Sequence, residues 1–262
     1  MVRDYRKERT YIREREVAFK NYLEQEVLSE NSFALFKSVA KQTDIYIYSG
    51  VIRNYLLGFR ENRDVDVVIT NINSLSLNPN DLHNCQIFQN SFGGYKIHID
   101  NLTIDAWGIE STWGLLHKKM KFTPHSLIKT AFFNFSSIAY DYNNRRYIFG
   151  DDICRFLKTR AIDVVFPENP NKPLCILNTI YFIKKYNFAI AYRLCKWIVD
   201  NYSSNMPFDK VQDRHFHYTV ASEDTRQWFI YVLKELLIRK LIDKDSLVYL
   251  DFVQKRVEIS SV

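Results

Sequence analysis

The sequence predicts an α+β protein: a mixed sheet with flanking helices, followed by a helical C-terminal region. Three observations carry this. Two apolar strand-like runs, Ile45–Tyr48 and a second that carries Asp64 and Asp66, enclose a small-residue turn and a helical stretch. Three further short strand runs lie between residues 85 and 107, punctuated by Gly93-Gly94 and Asp100-Asn101. Beyond about residue 160 the apolar residues recur at three and four positions instead of two. We therefore expect an N-terminal domain over residues 1–160 and a helical C-terminal domain over 161–262.

Taken in order, residues 1–20 alternate basic and acidic groups, and an exposed helix face is the expected form. Residues 17–28 and 33–39 repeat apolar residues at helical spacing and lead into the sheet. After the second strand, residues 71–84 are polar, contain Pro79 and several Asn, and read as loop. Residues 111–118 and 124–133 read as helices, and residues 136–140 and 145–149 as a hairpin about residues 141–144. Gly150-Asp151-Asp152 starts a helix, its carboxylates placed at the positive end of the helix dipole. Pro167, Pro170 and Pro173 mark a bend. Residues 174–202 form a long helical region, divided at Asn187, and Ser222 caps a helix running to about Leu241.

The totals narrow the function. The chain has 262 residues, a net charge of +6 and a pI near 9.0, which favours a polyanionic partner such as RNA or nucleotide phosphate. Aromatic residues reach 15%, enough for both packing and base stacking. The four Cys form no C-x-x-C pair and read as reduced, mostly buried thiols of a cytoplasmic protein. No apolar run approaches the roughly 20 residues of a membrane span, so no membrane partner is expected.

The chemistry concentrates in residues 44–70. Asp64 and Asp66, two apart on a strand, point to one face. Ser49-Gly50 opens a helix whose N-terminus offers backbone N–H groups to phosphate, and Arg53 adds a cation one turn on. Asp105 stands in an apolar strand between Ile104 and Ala106, where a carboxylate is costly unless paired or metal-bound, so it is the natural third ligand. Three hard carboxylates would hold Mg²⁺. His215 and His217, like His83 and Cys85, lack further metal-ligating neighbours, and a surface or packing role is expected for them. The aromatics Tyr181, Phe182, Tyr186 and Phe188 read as core.

Ser49-Gly50-Val51-Ile52-Arg53-Asn54, then Leu56-Leu57-Gly58, then Asp64-Val65-Asp66 resembles the ordered pattern Gly-Gly-x-Val-Arg-Asp, Leu-Leu-Gly, Asp-x-Asp of the polymerase-β-like nucleotidyltransferases. The likeness is to the head of CCA-adding enzymes and bacterial poly(A) polymerases. Residues 133–141, FNFSSIAYD, look like a further segment of that family, and residues 160–188 like its neck. The resemblance spans roughly residues 40–200. It departs at Ser49 and Asn54. Thr130-Ala131-Phe132 stands where the family has Arg-Arg-Asp, and the base-reading Glu-Asp-x-x-Arg has no counterpart in residues 171–175.

The resemblance implies Mg²⁺-dependent transfer of a nucleoside monophosphate from a nucleoside triphosphate to an acceptor hydroxyl, with an RNA 3′ end leading. Asp64, Asp66 and Asp105 would be the catalytic metal ligands, and Ser49, Gly50 and Arg53 would seat the β- and γ-phosphates. Two alternatives stay open: transfer to a protein or small molecule, as toxin-like or phage-defence members of the fold perform it, and a non-catalytic RNA-binding relic.

Overall fold

A computed structural model describes residues 4–48, 50–62, 64–76, 85–90 and 93–261. The chain divides into two compact units. The first holds Met1–Ala131 and Phe135–Cys154, the second Phe132–Asn134 and Arg155–Val262.

The first unit is built on a seven-stranded mixed sheet. Its strands are β1 (Ile45–Tyr48), β2 (Asp64–Ile69), β3 (Cys85–Gln89), β4 (Tyr95–Ile99), β5 (Leu102–Gly108), β6 (Ile138–Asp141) and β7 (Arg146–Phe149), in the order β3-β4-β5-β2-β1-β6-β7. Only β2 and β5 run parallel, and every other neighbour is antiparallel. Helices α1 (Arg6–Arg13), α2 (Glu16–Tyr22), α3 (Glu30–Ala40) and α4 (Gly50–Leu57) precede or interrupt the first strands, and α5 (Trp113–His117) and α6 (Pro124–Leu127) follow β5. Both helices are shorter than the pattern predicts. Residues 128–130 form a 3₁₀ turn in place of further α-helix. The expected loop over 71–84 begins with a 3₁₀ turn at Ile72–Ser74, and its residues 77–84, His83 among them, lie outside the described residues.

The charged N-terminal segment is not simply an exposed face. Tyr5, Ile12 and Phe19, seven apart, are buried, while Arg6, Lys7, Arg13 and Glu14 between them face solvent. Phe19 packs edge-on against Tyr140 at 4.8 Å between ring centroids, and the Tyr140 hydroxyl donates to the Glu16 carbonyl at 2.9 Å. The heptad of buried residues is masked in the sequence by the charges between them.

Alternation in β2 separates two faces. Val65, Val67 and Ile69 are buried on one. An apolar cavity of about 260 Å³ on that side is lined by Leu35, Phe36 and Val39 of α3 with Val67, Ile97 and Ile104. The other face carries Asp64, Asp66 and Val68. There Tyr46 and Val68 join Leu115, Leu127 and Ile128 in a buried cluster, so α5 and α6 cover the far end of the same face that bears the carboxylates.

The second unit joins α8 (Lys172–Tyr186), α9 (Tyr192–Asn201), α10 (Phe208–His215) and α11 (Glu223–Ile238) to a four-stranded sheet. The division between the units falls within α7 (Asp151–Thr159). Asn187, with φ 54°, ends α8, and the Ser222 hydroxyl accepts the Thr225 N–H at the start of α11. That helix stops at Ile238 and leaves Leu241 exposed, short of the predicted end. The strands β8 (Ala161–Ile162), β9 (Ala189–Ala191), β10 (Ser246–Asp251) and β11 (Arg256–Ser261) are an addition to the helical pattern read from the sequence.

Asp163 is the polar hub of this unit. Its side chain is 3% exposed and accepts Arg193 Nη2 at 2.6 Å and Arg155 Nη1 at 3.3 Å. Its backbone N–H donates to Asn134 Oδ1 at 3.0 Å, and Asn134 Nδ2 donates to the Ala161 carbonyl at 2.9 Å. Two amide bonds thus hold the excursion Phe132–Asn134 in the second unit.

Among the described residues no helix is long and apolar enough to cross a membrane. Cys154, Cys175 and Cys195 are buried free thiols, and Cys85 is half-buried. Burial pushes the Cys154 thiol up to about 11.

Two stability measurements test this packing. The Tyr147 hydroxyl is buried with no hydrogen-bond partner among the described residues. Removing it in Tyr147→Phe should raise unfolding free energy by about 1 kcal/mol in a urea titration, because a buried unsatisfied hydroxyl costs about that much. Asp163→Ala removes the acceptor shared by Arg193, Arg155 and the Val164 N–H and should lower stability by about 2 kcal/mol in the same titration.

Candidate active site

Strand register assembles the carboxylates. β2 and β5 run parallel with Asp66 beside Asp105 and Asp64 beside Thr103. Residues side by side in a ladder present their side chains to the same face. The row through Asp66 extends across five strands: Tyr48 of β1, Asp66 of β2, Asp105 of β5, Lys96 of β4 and Phe88 of β3. All three aspartates are half-buried. Val65 and Val67 behind them, like Ile104 and Ala106, anchor the strands to the opposite layer.

Asp105 has a partner inside the protein. Lys96 Nζ lies 3.1 Å from Asp105 Oδ1 and 3.3 Å from Oδ2. That ammonium gives the carboxylate a counter-charge in an otherwise apolar strand. Among the described residues no group of three or more His, Cys, Asp or Glu side chains is arranged to hold a metal ion.

The wall beside Asp66 is aromatic. Tyr48 meets Trp107 edge-on at 6.2 Å and 84°. Burial raises the Tyr48 hydroxyl pKa above its ordinary value, opposed by a hydrogen bond with Thr130, and the Asp66 charge raises it further. Tyr48 therefore remains neutral through the physiological range.

Tyr48 is the last residue of β1, and α4 opens two residues later at Gly50. The eight-residue helix thus begins next to the strand position that pairs with Asp66. A Cβ on Gly50 would meet no atom within 4 Å, so the backbone there is open. Ser49 lies outside the described residues. Arg53 is half-buried one turn on. Its Nε and Nη2 donate to Asn54 Oδ1 at 3.0 and 2.7 Å, and its guanidinium sits 5.3 Å from the centre of the Phe135 ring. Asn54 in turn donates to the Glu61 carbonyl at 2.6 Å. The amide at this position therefore orients Arg53 through its oxygen and ties the loop before β2 through its nitrogen.

Lys96, Tyr48 and Trp107 are the neighbours that motif reading missed. The signal for Lys96 was present. A two-residue turn at Asp100-Asn101 sets Ile99 against Leu102, and counting back along the hairpin brings Lys96 opposite Asp105. His215 ends α10 and His217 lies just beyond it.

No family model matches the sequence, and no curated protein matches it. Solved structures do. A tRNA nucleotidyltransferase complexed with a primer tRNA and an incoming ATP analogue aligns with TM-score 0.53 and 18% identity, over 80% of this chain and 61% of that one. A CCA-adding enzyme with ATP aligns with TM-score 0.51 and 18% identity, over 70% of this chain and 45% of that one. The Thermotoga maritima CCA-adding enzyme complexed with tRNA aligns with TM-score 0.50 and 18% identity, over 69% and 44%. The chain spans about half the length of the structures it matches. These alignments show the fold: the chain shares that of the CCA-adding enzyme and tRNA nucleotidyltransferase structures over the aligned residues.

Proposed function

We propose that the chain transfers a nucleoside monophosphate from a nucleoside triphosphate to an acceptor hydroxyl at an RNA 3′ end. The observation that carries the reading is the register of Asp66 beside Asp105, with Asp64 on the same face, in a sheet of this fold.

Mg²⁺ fits the chemistry of the donors, which are hard carboxylate oxygens. Asp64 and Asp66 would hold it, and Asp105 would join when its ion pair with Lys96 opens. When bound, the ion supplies Lewis-acid charge to the triphosphate oxygens. The remaining work falls to the protein. The backbone N–H groups at the start of α4, from Gly50 onward, receive phosphate oxygens along the helix dipole. Arg53, oriented by Asn54, adds planar donors to the same phosphates, and Ser49 is assigned to that group by the sequence motif. Lys96, released from Asp105, stands in the row as a cation for negative charge that develops during transfer. Such a site works through placement and preorganised charge, which accounts for the absence of a dedicated base in the scheme.

Three expected outcomes test the reading. Asp64→Ala and Asp66→Ala should each lower transfer of labelled nucleotide by about 10³-fold, the equivalent of about 4 kcal/mol of transition-state stabilisation, with unchanged circular dichroism. Full activity in either variant would remove that residue from the site. Incubation with labelled triphosphates and separate RNA, protein and small-molecule acceptors should place the label in RNA, and label found only in protein would end the RNA reading. Lys96→Met should tighten Mn²⁺ binding several-fold, measured by electron paramagnetic resonance of free Mn²⁺. Unchanged affinity would take Asp105 out of the metal set.

A further inference from the structure

The segment that follows the Asp105 strand is unlike the rest of the molecule. Residues 111–131 contain four Lys and two His and no Asp or Glu. Within them, ten consecutive residues expose three large apolar side chains: Trp113 is 43% exposed, Leu116 52% and Phe122 48%. Lys118, Lys119 and Lys121 lie among these residues and face solvent. Exposing a tryptophan and a phenylalanine this close together has a hydrophobic cost that packing alone does not explain.

The segment is rigid where it meets the sheet. Leu115, Leu127 and Ile128 are buried in the cluster with Tyr46 and Val68. Trp107 Nε1 donates to Thr112 Oγ1 at 3.1 Å, and a Cβ on Gly114 would lie 2.6 Å from the Thr130 Cβ, so only glycine lets these turns meet. On this base the Trp113 ring lies nearly parallel to His117, 13° between planes and 4.7 Å between centroids. Phe122 borders an open cleft of about 570 Å³ shared with Asn71, Asn73, Ser74 and Glu110. Glu110 turns that cleft toward a base, since a phosphate beside it would meet like charge.

Flat aromatic faces on a fixed support, interleaved with cations, suit a flexible polyanion with stackable rings. We infer that the α5–α6 segment is a docking surface for single-stranded polynucleotide, with Trp113 and Phe122 stacking bases and Lys118, Lys119 and Lys121 meeting phosphates. It lies on the same sheet face as Asp64, Asp66 and Asp105, and Trp107 is two residues beyond Asp105 on one strand. The inference deepens the proposed acceptor and rests on that reading only for its link to catalysis.

The test is binding of labelled short oligo(U) and oligo(dT) to the full chain by fluorescence anisotropy, without metal or nucleoside triphosphate, with an RNA duplex alongside. Trp113→Ala and Phe122→Ala should each weaken single-strand binding about tenfold. Exchanging Lys118, Lys119 and Lys121 together for Gln should reduce the slope of log affinity against log salt by about 2. Binding is read without metal or nucleoside triphosphate, so a chain without transferase activity can still support the surface. The ratio of the RNA to DNA affinities tells which strand is held. Equal binding of strand and duplex with both aromatic variants silent would overturn the proposal. So would failure of every oligonucleotide to bind, which would assign the surface to a protein partner.

Discussion

The parallel pairing of β2 with β5 is the constraint on which the rest depends. It is the one parallel contact in a seven-stranded sheet, and it brings together residues about forty positions apart. Because side chains alternate along a strand, a slip of one residue would turn Asp105 into the apolar layer and Ile104 toward the other carboxylates. Val65, Val67, Ile104 and Ala106 resist that slip, since each is buried on the opposite face. The carboxylates are thus positioned by the hydrophobic residues between them.

Charge is managed locally rather than by the overall basic balance. In the row across five strands, the carboxylate nearest the β4–β5 hairpin is paired with Lys96, while the one nearest α4 sits beside the half-buried Tyr48. Residues 111–131, beyond Glu110, are basic without interruption by acid. A sheet face that gathers negative charge at one end and is roofed by a positive segment at the other has a directional field, which orients a charged ligand before contact.

Much of this was legible in the residues. The two central strands, the helix between them, the hairpin at residues 141–144, the Asn187 break and the Ser222 cap all have local causes, and each element stands where its cause predicts. What escaped is non-local or short. Ala161–Ile162 and Ala189–Ala191 are too brief to show a period, and β8 and β9 are recognisable only once they lie beside each other. The burial of Tyr5, Ile12 and Phe19 was hidden because charged neighbours dominate the window around each. Lys96 escaped because motifs are read along one strand, whereas its meaning comes from the strand beside it.

The brief passage of Phe132–Asn134 into the second unit has a consequence for how the molecule can be divided or inherited. The backbone changes units at three places instead of one, so it is stitched, not merely joined. Cutting at residue 155 would free the helices and the smaller sheet but leave their Asn134 behind, with Asp163 N–H and the Ala161 carbonyl robbed of their amide. Neither half can be exchanged as a simple cassette, and recombination of such a chain must move both together.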